Sequence, residues 1–379
     1  MTIRGRELLG PADVIDADLE SFVAAVLAES PVTVLDCWAE VAEYDLVAIT
    51  TAGRFWVRGT AATPTGCRSF GFFVKVVQSW GRSPLIEQVP AQIRDVALAS
   101  VPWRTEPDIY RSDLSTLLPD GLTMPRAHAV LDLDEESAAI WLEEVPTVAH
   151  EWDAPRFARA AFLLGRLAAS ERVSPVAALV PRRPAHRHYA EGRLAHQVLP
   201  LLRSDIWAHP LVSSTFDADL RASLRDAAAA MPGYLDELDA VPLGTAHGDA
   251  CPRNLLVTRA DADGFVLIDY GFWGTAPVGF DLGQLLLGEI QTGERPSKEL
   301  AGLHAACLPA YVDGLRAEGL DVDEATVARA NALLMLEFFA LSAIPFEALG
   351  GEITPQVHHV AGERAQAARF VLELVHATA

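Results

Sequence analysis

Between His247 and Asp269 the chain sets His247-Gly248-Asp249, Asn254 and Asp269 around two short apolar runs, Leu255-Leu256-Val257 and Phe265-Val266-Leu267-Ile268. The Asp261-Ala262-Asp263-Gly264 segment between them has turn chemistry, so the runs are predicted to form a hairpin. A hairpin brings its open ends together, which places Asp249, Asn254 and Asp269 on one side. A carboxylate and an amide oxygen are hard ligands that suit Mg²⁺, an ion that takes few protein ligands alongside substrate phosphates. The other carboxylate is then available to accept a hydroxyl proton. These are the parts that phosphoryl transfer needs.

A lone cation stands out elsewhere. Of 30 basic residues only Lys75 and Lys298 are lysine, and Lys75 lies inside Phe72-Phe73-Val74-Lys75-Val76-Val77. An ammonium there costs free energy unless something pairs with it. The elements that would position these groups can be read from periodicity. Residues 18–29 have the spacing of a short amphipathic helix. Strands are predicted at 32–35, 55–59, 72–77, 127–132 and 138–142, with turns at Thr50-Thr51-Ala52-Gly53, Thr63-Pro64-Thr65-Gly66 and Asp134-Glu135-Glu136. Residues 88–115 read as helical segments interrupted by Pro90, Pro102 and Pro107. Beyond residue 150 the texture is helical, as over 157–169, 220–238 and from 282 onwards, apart from the hairpin. The expectation is an α+β chain of two lobes. Residues 1–145 would form a small β-rich lobe, and residues 146–379 a larger, mostly helical lobe that contains the hairpin.

Composition narrows the function classes. With 379 residues, half of them hydrophobic and 21% charged, the chain is globular and long enough for more than one core. A formal net charge of −21 argues against nucleic acid as a partner, since phosphate binding needs a concentrated basic surface. No apolar run is long enough to span a bilayer, and the start lacks a signal-peptide pattern, so no membrane partner and a cytoplasmic location are expected. Cys37, Cys67, Cys251 and Cys307 show no metal-ligand spacing.

The combination His247-Gly248-Asp249, four residues, Asn254, then Ile268-Asp269 and Asp281-Leu282 resembles the aminoglycoside phosphotransferase and choline kinase branch of the protein-kinase-like superfamily. The resemblance spans residues 40–290 and implies a two-lobed protein-kinase-like fold, with ATP and Mg²⁺ as cofactors. It implies Asp249 as catalytic base, Asn254 and Asp269 as Mg²⁺ ligands, His247 as support for the loop and Asp281 as a buttress from the following helix. The segment Trp103-Arg104-Thr105-Glu106-Pro107-Asp108-Ile109-Tyr110 resembles WRxExxxY and makes Glu106 the partner of Lys75. Trp141-Leu142-Glu143-Glu144-Val145 takes the place of the hinge, with backbone groups of Glu143 and Val145 meeting the adenine. The phosphate loop falls at residues 46–54, where Gly53 is the only glycine and Thr50 and Thr51 are the candidate donors. The implied activity is transfer of the γ-phosphoryl group of ATP to a hydroxyl of a small molecule. An aminoglycoside or other antibiotic is one acceptor class, in a resistance role, and a sugar or amino alcohol is the alternative. A catalytically silent nucleotide-binding protein is the third reading. Residues 282–352 carry eleven acidic and four basic residues. Glu289, Glu337 and Glu347 are therefore candidates to line a pocket for a cationic acceptor, and the aromatic run Tyr270-Gly271-Phe272-Trp273 is a candidate for its wall.

Overall fold

The computed structural model describes residues 3–44, 48–180 and 183–379, with the side chains of Ile3 and Gln88 excepted. The chain divides into two compact units. One runs to Thr116 and resumes over Met124–Thr147, and the other comprises Leu117–Thr123 and Val148–Ala379.

The first unit is built on a six-stranded sheet. Its strands are β1 (Ile3–Arg4), β2 (Thr33–Val41), β3 (Thr51–Thr63), β4 (Gly66–Gln78), β6 (Ala127–Asp134) and β7 (Ser137–Glu143), in the order β1-β2-β3-β4-β7-β6. All neighbours are antiparallel except β1 and β2. Two short turns predicted from sequence, at Pro64-Thr65 and Glu135-Glu136, join β3 to β4 and β6 to β7. The strands are longer than their apolar runs suggested. Thr51–Gly53, read as a turn, belongs to β3: Thr51 pairs with Val77 and Gly53 with Val76, across a register shift. Threonine suits a pleated strand, and a bulge absorbs the extra residue that made the segment look like a turn.

Side chains alternate across this sheet. Phe70, Phe72 and Val74 enter an apolar cluster with Val57, Trp141, and Leu19 and Val23 of the Asp16–Leu27 helix. Fully burying each large side chain there contributes roughly 1.5–3 kcal/mol. The buried indole of Trp141 donates its Nε1–H to the Ala12 carbonyl at 2.8 Å, so its polar atom is not stranded. Lys75, one residue beyond Val74, takes the opposite face of β4. The Thr105–Arg111 helix supplies Glu106 in its first turn.

The second unit is mainly helical and contains two small sheets. β9 (Leu255–Leu256) and β10 (Phe265–Leu267) form the anticipated hairpin, and β5 (Leu122–Thr123) adds in parallel to β10. β8 (Leu243–Ala246) pairs antiparallel with β11 (Gly274–Pro277). The Asp261 carboxylate shapes the hairpin turn by accepting from the Asp263 and Gly264 amides at 3.1 and 2.9 Å. Around these sheets stand the Ala154–Ala169, Ala218–Asp239, Phe280–Thr292, Leu300–Ala317, Glu324–Met335 and Pro355–Ala377 helices. Gly165 and Gly314 face each other where the first and fourth of these cross. A Cβ on Gly165 would collide with the Tyr311 carbonyl, and one on Gly314 with the Phe162 carbonyl.

Candidate active site

The β8–β11 ribbon and the β9–β10 hairpin together position the sequence motif. β8 ends at Ala246, so His247 follows directly from a paired strand. His247 is fully buried and its ring lies 5.2 Å from that of Tyr270. Its Nδ1 accepts the Asp249 amide at 3.3 Å, which curls the loop back on itself. Burial holds the imidazole down at about 4, so the ring is neutral near pH 7 and suited to support rather than to proton transfer.

Between them Gly248 has φ 88, and a Cβ there would run into the Phe272 carbonyl. Only glycine meets both demands. From the first turn of the Phe280–Thr292 helix, the Asp281 carboxylate accepts the His247 and Gly248 amides at 2.8 and 2.9 Å. Asp281 is 2% exposed, and burial pushes its carboxyl up to about 6 while the two amides pull it down.

The hairpin register closes the constellation. After the Leu267–Leu255 pair, the Ile268 amide donates to the Asn254 carbonyl at 3.1 Å, which sets Asp269 beside Asn254. The Asn254 side-chain nitrogen donates to the Asp249 carbonyl at 2.8 Å and to Asp249 Oδ2 at 3.0 Å. Asp269 has φ 65, a left-handed conformation that costs a non-glycine residue free energy. The hairpin thus joins Asp249, Asn254 and Asp269 through backbone and side chain. Because the Asn254 nitrogen makes both bonds, its amide oxygen stays suited to a hard cation, and the Asp269 carboxylate supplies the charge. No group of three or more His, Cys, Asp or Glu with metal-holding geometry occurs among the described residues. A site of one carboxylate and one amide fits Mg²⁺ that takes its other ligands from water and phosphates.

In the first unit Lys75 Nζ lies 2.6 Å from Glu106 Oε2, at side-chain exposures of 7% and 4%. Each charge answers the other's burial. Glu143 ends β7, where its amide donates to the Arg126 carbonyl and its carboxylate accepts the Arg126 amide, both at 2.9 Å. Val145 follows outside the strand. Thr50 accepts the Gln78 amide through its carbonyl at 2.8 Å, and Thr51 Oγ1 accepts from Arg54 at 3.5 Å. The phosphate loop expected over 46–54 begins outside the described residues, at Leu46 and Val47.

Several neighbours differ from expectation. Tyr270 and Trp273 are core residues at 0% exposure, and of that aromatic run only Phe272 is an exposed ring, at 49%. Glu289 is bound to Arg295 at 2.8 Å and largely covered, while Glu347 pairs with Arg364 at 2.7 Å on the surface. Glu337 is wholly buried. Arg253, in the loop itself, is tied to Glu294. Burial pushes the Cys251 thiol up to about 12, which removes it as a nucleophile near pH 7. The Gly248–Phe272 approach had no sequence signal beyond the glycine.

His247 and Asp281 pull stability in opposite directions with pH. His247 binds its proton less tightly when folded, so its contribution grows as pH rises from about 4 to 6.5. Asp281 binds its proton more tightly when folded, so its contribution shrinks as pH rises from about 4 to 6. Asp281→Asn removes the second effect. Urea unfolding at a series of pH values should then show stability rising more steeply between pH 4 and 6 than in the parent, by up to about 1.4 kcal/mol per unit. Parallel pH profiles would contradict the burial assigned to Asp281.

Residues 114–320, more than half of the chain, match the profile of the "Phosphotransferase enzyme family". Among solved structures, an aminoglycoside phosphotransferase from Alicyclobacillus acidocaldarius is 14% identical with a TM-score of 0.51, over 89% of this chain and 98% of that one. The spectinomycin phosphotransferase APH(9)-Ia, solved with ADP and spectinomycin, is 11% identical with a TM-score of 0.50, over 96% and 98%. A choline kinase from Streptococcus pneumoniae is 15% identical with a TM-score of 0.45, over 94% and 98%. At such identities the likeness concerns the fold. No curated protein matches the chain at a significant level. No helix among the described residues is long and apolar enough to cross a membrane.

Proposed function

The chain belongs to the phosphotransferase enzyme family, and from that premise we propose that it moves the γ-phosphoryl group of ATP to a hydroxyl of a small molecule, with Asp249 as the base. The observation that carries this reading is the bonding of Asn254 to Asp249 beside Asp269, in a loop held by Asp281. Lys75 and Glu106 lie outside the matched residues 114–320, so their pairing is separate support.

In this reading the N-terminal lobe, residues 1–145, binds nucleotide, and residues 146–379 carry the catalytic loop and the acceptor site. Lys75, steadied by Glu106, holds the α- and β-phosphates, and the backbone of Glu143 and Val145 meets the adenine, while Thr50 and Thr51 offer donors to the phosphates. Asn254 and Asp269 would hold Mg²⁺, which would supply positive charge to offset that on the phosphates. Asp249 orients the acceptor hydroxyl and takes its proton as the oxygen attacks in line, and ADP leaves. His247 stays neutral and keeps the loop in shape.

The test is ADP release from ATP over a panel of aminoglycosides, other hydroxylated antibiotics, sugars and amino alcohols. At least one acceptor is expected to raise ADP release well above the acceptor-free rate, and excess EDTA to abolish the increase. Stimulation by no acceptor, or full activity in EDTA, would overturn the proposal. The acceptors that work decide between a resistance role and a metabolic one.

A further inference from the structure

The helix that buttresses the catalytic loop needs an anchor of its own. Phe280–Thr292 begins without a side-chain cap: its N-cap is Gly279, in a left-handed conformation with φ 96. Asp281 lies in its first turn, so whatever fixes Gly279 also aims the carboxylate that receives the His247 and Gly248 amides. Two buried side chains take both backbone groups of Gly279. Its amide donates to the Tyr311 hydroxyl at 2.9 Å, and its carbonyl accepts from Asn331 Nδ2 at 3.0 Å. These groups belong to the peptide planes on either side of Gly279, so each plane is held in its orientation.

The two side chains are held from behind in their turn. Asn331 is 0% exposed, and its Oδ1 accepts the Nε2–H of His304 at 3.2 Å, which turns Nδ2 towards Gly279. An amide oxygen only accepts, so the bond also fixes the His304 tautomer. His304 and Tyr311 are seven residues apart on the Leu300–Ala317 helix and share one face, while Asn331 comes from the Glu324–Met335 helix. The Tyr311 carbonyl touches Gly165, so the tight helix crossing sets where its ring stands. Burial lowers the His304 imidazole against the pull of Asn331. Burial likewise raises the Tyr311 phenol, with the Asp281 carboxylate adding to the rise. Both groups are therefore neutral near pH 7. A buried network of this kind specifies one arrangement, since any other strands a donor or an acceptor.

We propose that Tyr311, Asn331 and His304 are positioning residues for phosphoryl transfer: they fix Gly279, and through the helix start and Asp281 they set where Asp249 stands. The inference rests on the phosphotransferase reading and extends its support into the helical core. None of the three touches the reacting atoms. Their effect on rate comes from how steeply transfer depends on the placement of the base, about 10²-fold for a displacement of about 1 Å. In that reading nucleotide is held by Lys75 and the backbone of Glu143 and Val145, which these bonds do not reach.

Tyr311→Phe deletes one oxygen and keeps the ring, and Asn331→Leu keeps the volume and deletes the amide. Trp207→Phe is the control, since it removes another buried bond of the same unit, from the indole Nε1–H to the Leu202 carbonyl at 2.9 Å. Each is measured for urea unfolding, for kcat and KM with an active acceptor, and for the amide resonance of Gly248. His247-Gly248 is the only His-Gly pair in the sequence, so isotopic labelling of the histidine carbonyl carbon and the glycine nitrogen isolates that signal. Both variants are expected to lose about tenfold to hundredfold in kcat, to keep KM for ATP within about twofold, and to move the Gly248 signal. His304→Leu should act like Asn331→Leu, and His304→Gln, whose amide nitrogen can still donate to Asn331, should recover part of the loss. Trp207→Phe should lose stability and leave kcat and the signal as in the parent. Should Asn331→Leu fail to fold, Tyr311→Phe decides alone. A kcat loss no larger than that of the control, a rise in KM for ATP in its place, or an unmoved Gly248 signal overturns the assignment. The resonance needs no turnover. If no acceptor stimulates the parent, the phosphotransferase reading falls, and the signal alone decides whether these residues hold the loop.

Discussion

Asp249→Asn should bind nucleotide as the parent does and lose about 10²- to 10⁴-fold in turnover, the range for removal of a general base. In barrier terms that is roughly 2.7–5.5 kcal/mol. The substitution suits the site, because an asparagine oxygen can still accept the Asn254 amide that now reaches Asp249 Oδ2 at 3.0 Å. The loop is also held without Asp249, by Asp281 on the His247 and Gly248 amides. Loss of turnover with intact nucleotide binding therefore reports on the proton, and not on collapse of the loop. Single-turnover measurement of ADP with an active acceptor checks it. A variant retaining a tenth or more of parental turnover would remove Asp249 from the role of base.

The second large effect is on stability. Lys75 and Glu106 are 6% and 3% exposed, so Lys75→Met leaves a carboxylate buried without its cation. Breaking a buried pair from one side costs about 3–5 kcal/mol. Replacing both partners, as Lys75→Met with Glu106→Leu, should recover most of that loss, because two apolar groups pay no penalty for their burial. Denaturant unfolding should thus show a badly destabilised single variant and a near-parental double variant. Nucleotide binding should be lost in both if Lys75 holds phosphates. A double variant that binds nucleotide normally would reduce the pair to a structural ion pair.

The sequence made the hairpin legible because a turn with strong chemistry, Asp261 to Gly264, separates two apolar runs. It made Lys75 conspicuous because a charge interrupted a strand pattern. The β8–β11 ribbon left no such trace. Leu243-Gly244-Thr245-Ala246 and Gly274-Thr275-Ala276-Pro277 are short, poor in β-branched residues and far apart in the chain, so only the tertiary fold pairs them. β5 is two residues long and draws its partner from the distant β10. The acidic count over residues 282–352 was visible, but its meaning was not. Arg295 and Arg364 pair with Glu289 and Glu347, while Glu337 has no hydrogen-bond partner among the described residues. Composition sums charges, and pairing depends on which side chains the packing brings together. The run Tyr270 to Trp273 failed for a related reason, since aromatic rings serve core and pocket alike and only burial tells them apart.

The crossing of the Ala154–Ala169 and Leu300–Ala317 helices has a consequence for how such a sequence can change. At Gly165 and Gly314 the two backbones touch, so the added methyl of an alanine at either position meets a carbonyl and not a yielding side chain. Enlarging the residue on one helix is not relieved by shrinking its counterpart, because neither has a side chain left to lose. Single-step routes through these two positions are therefore closed, and a larger residue can arise only after the helices have moved apart.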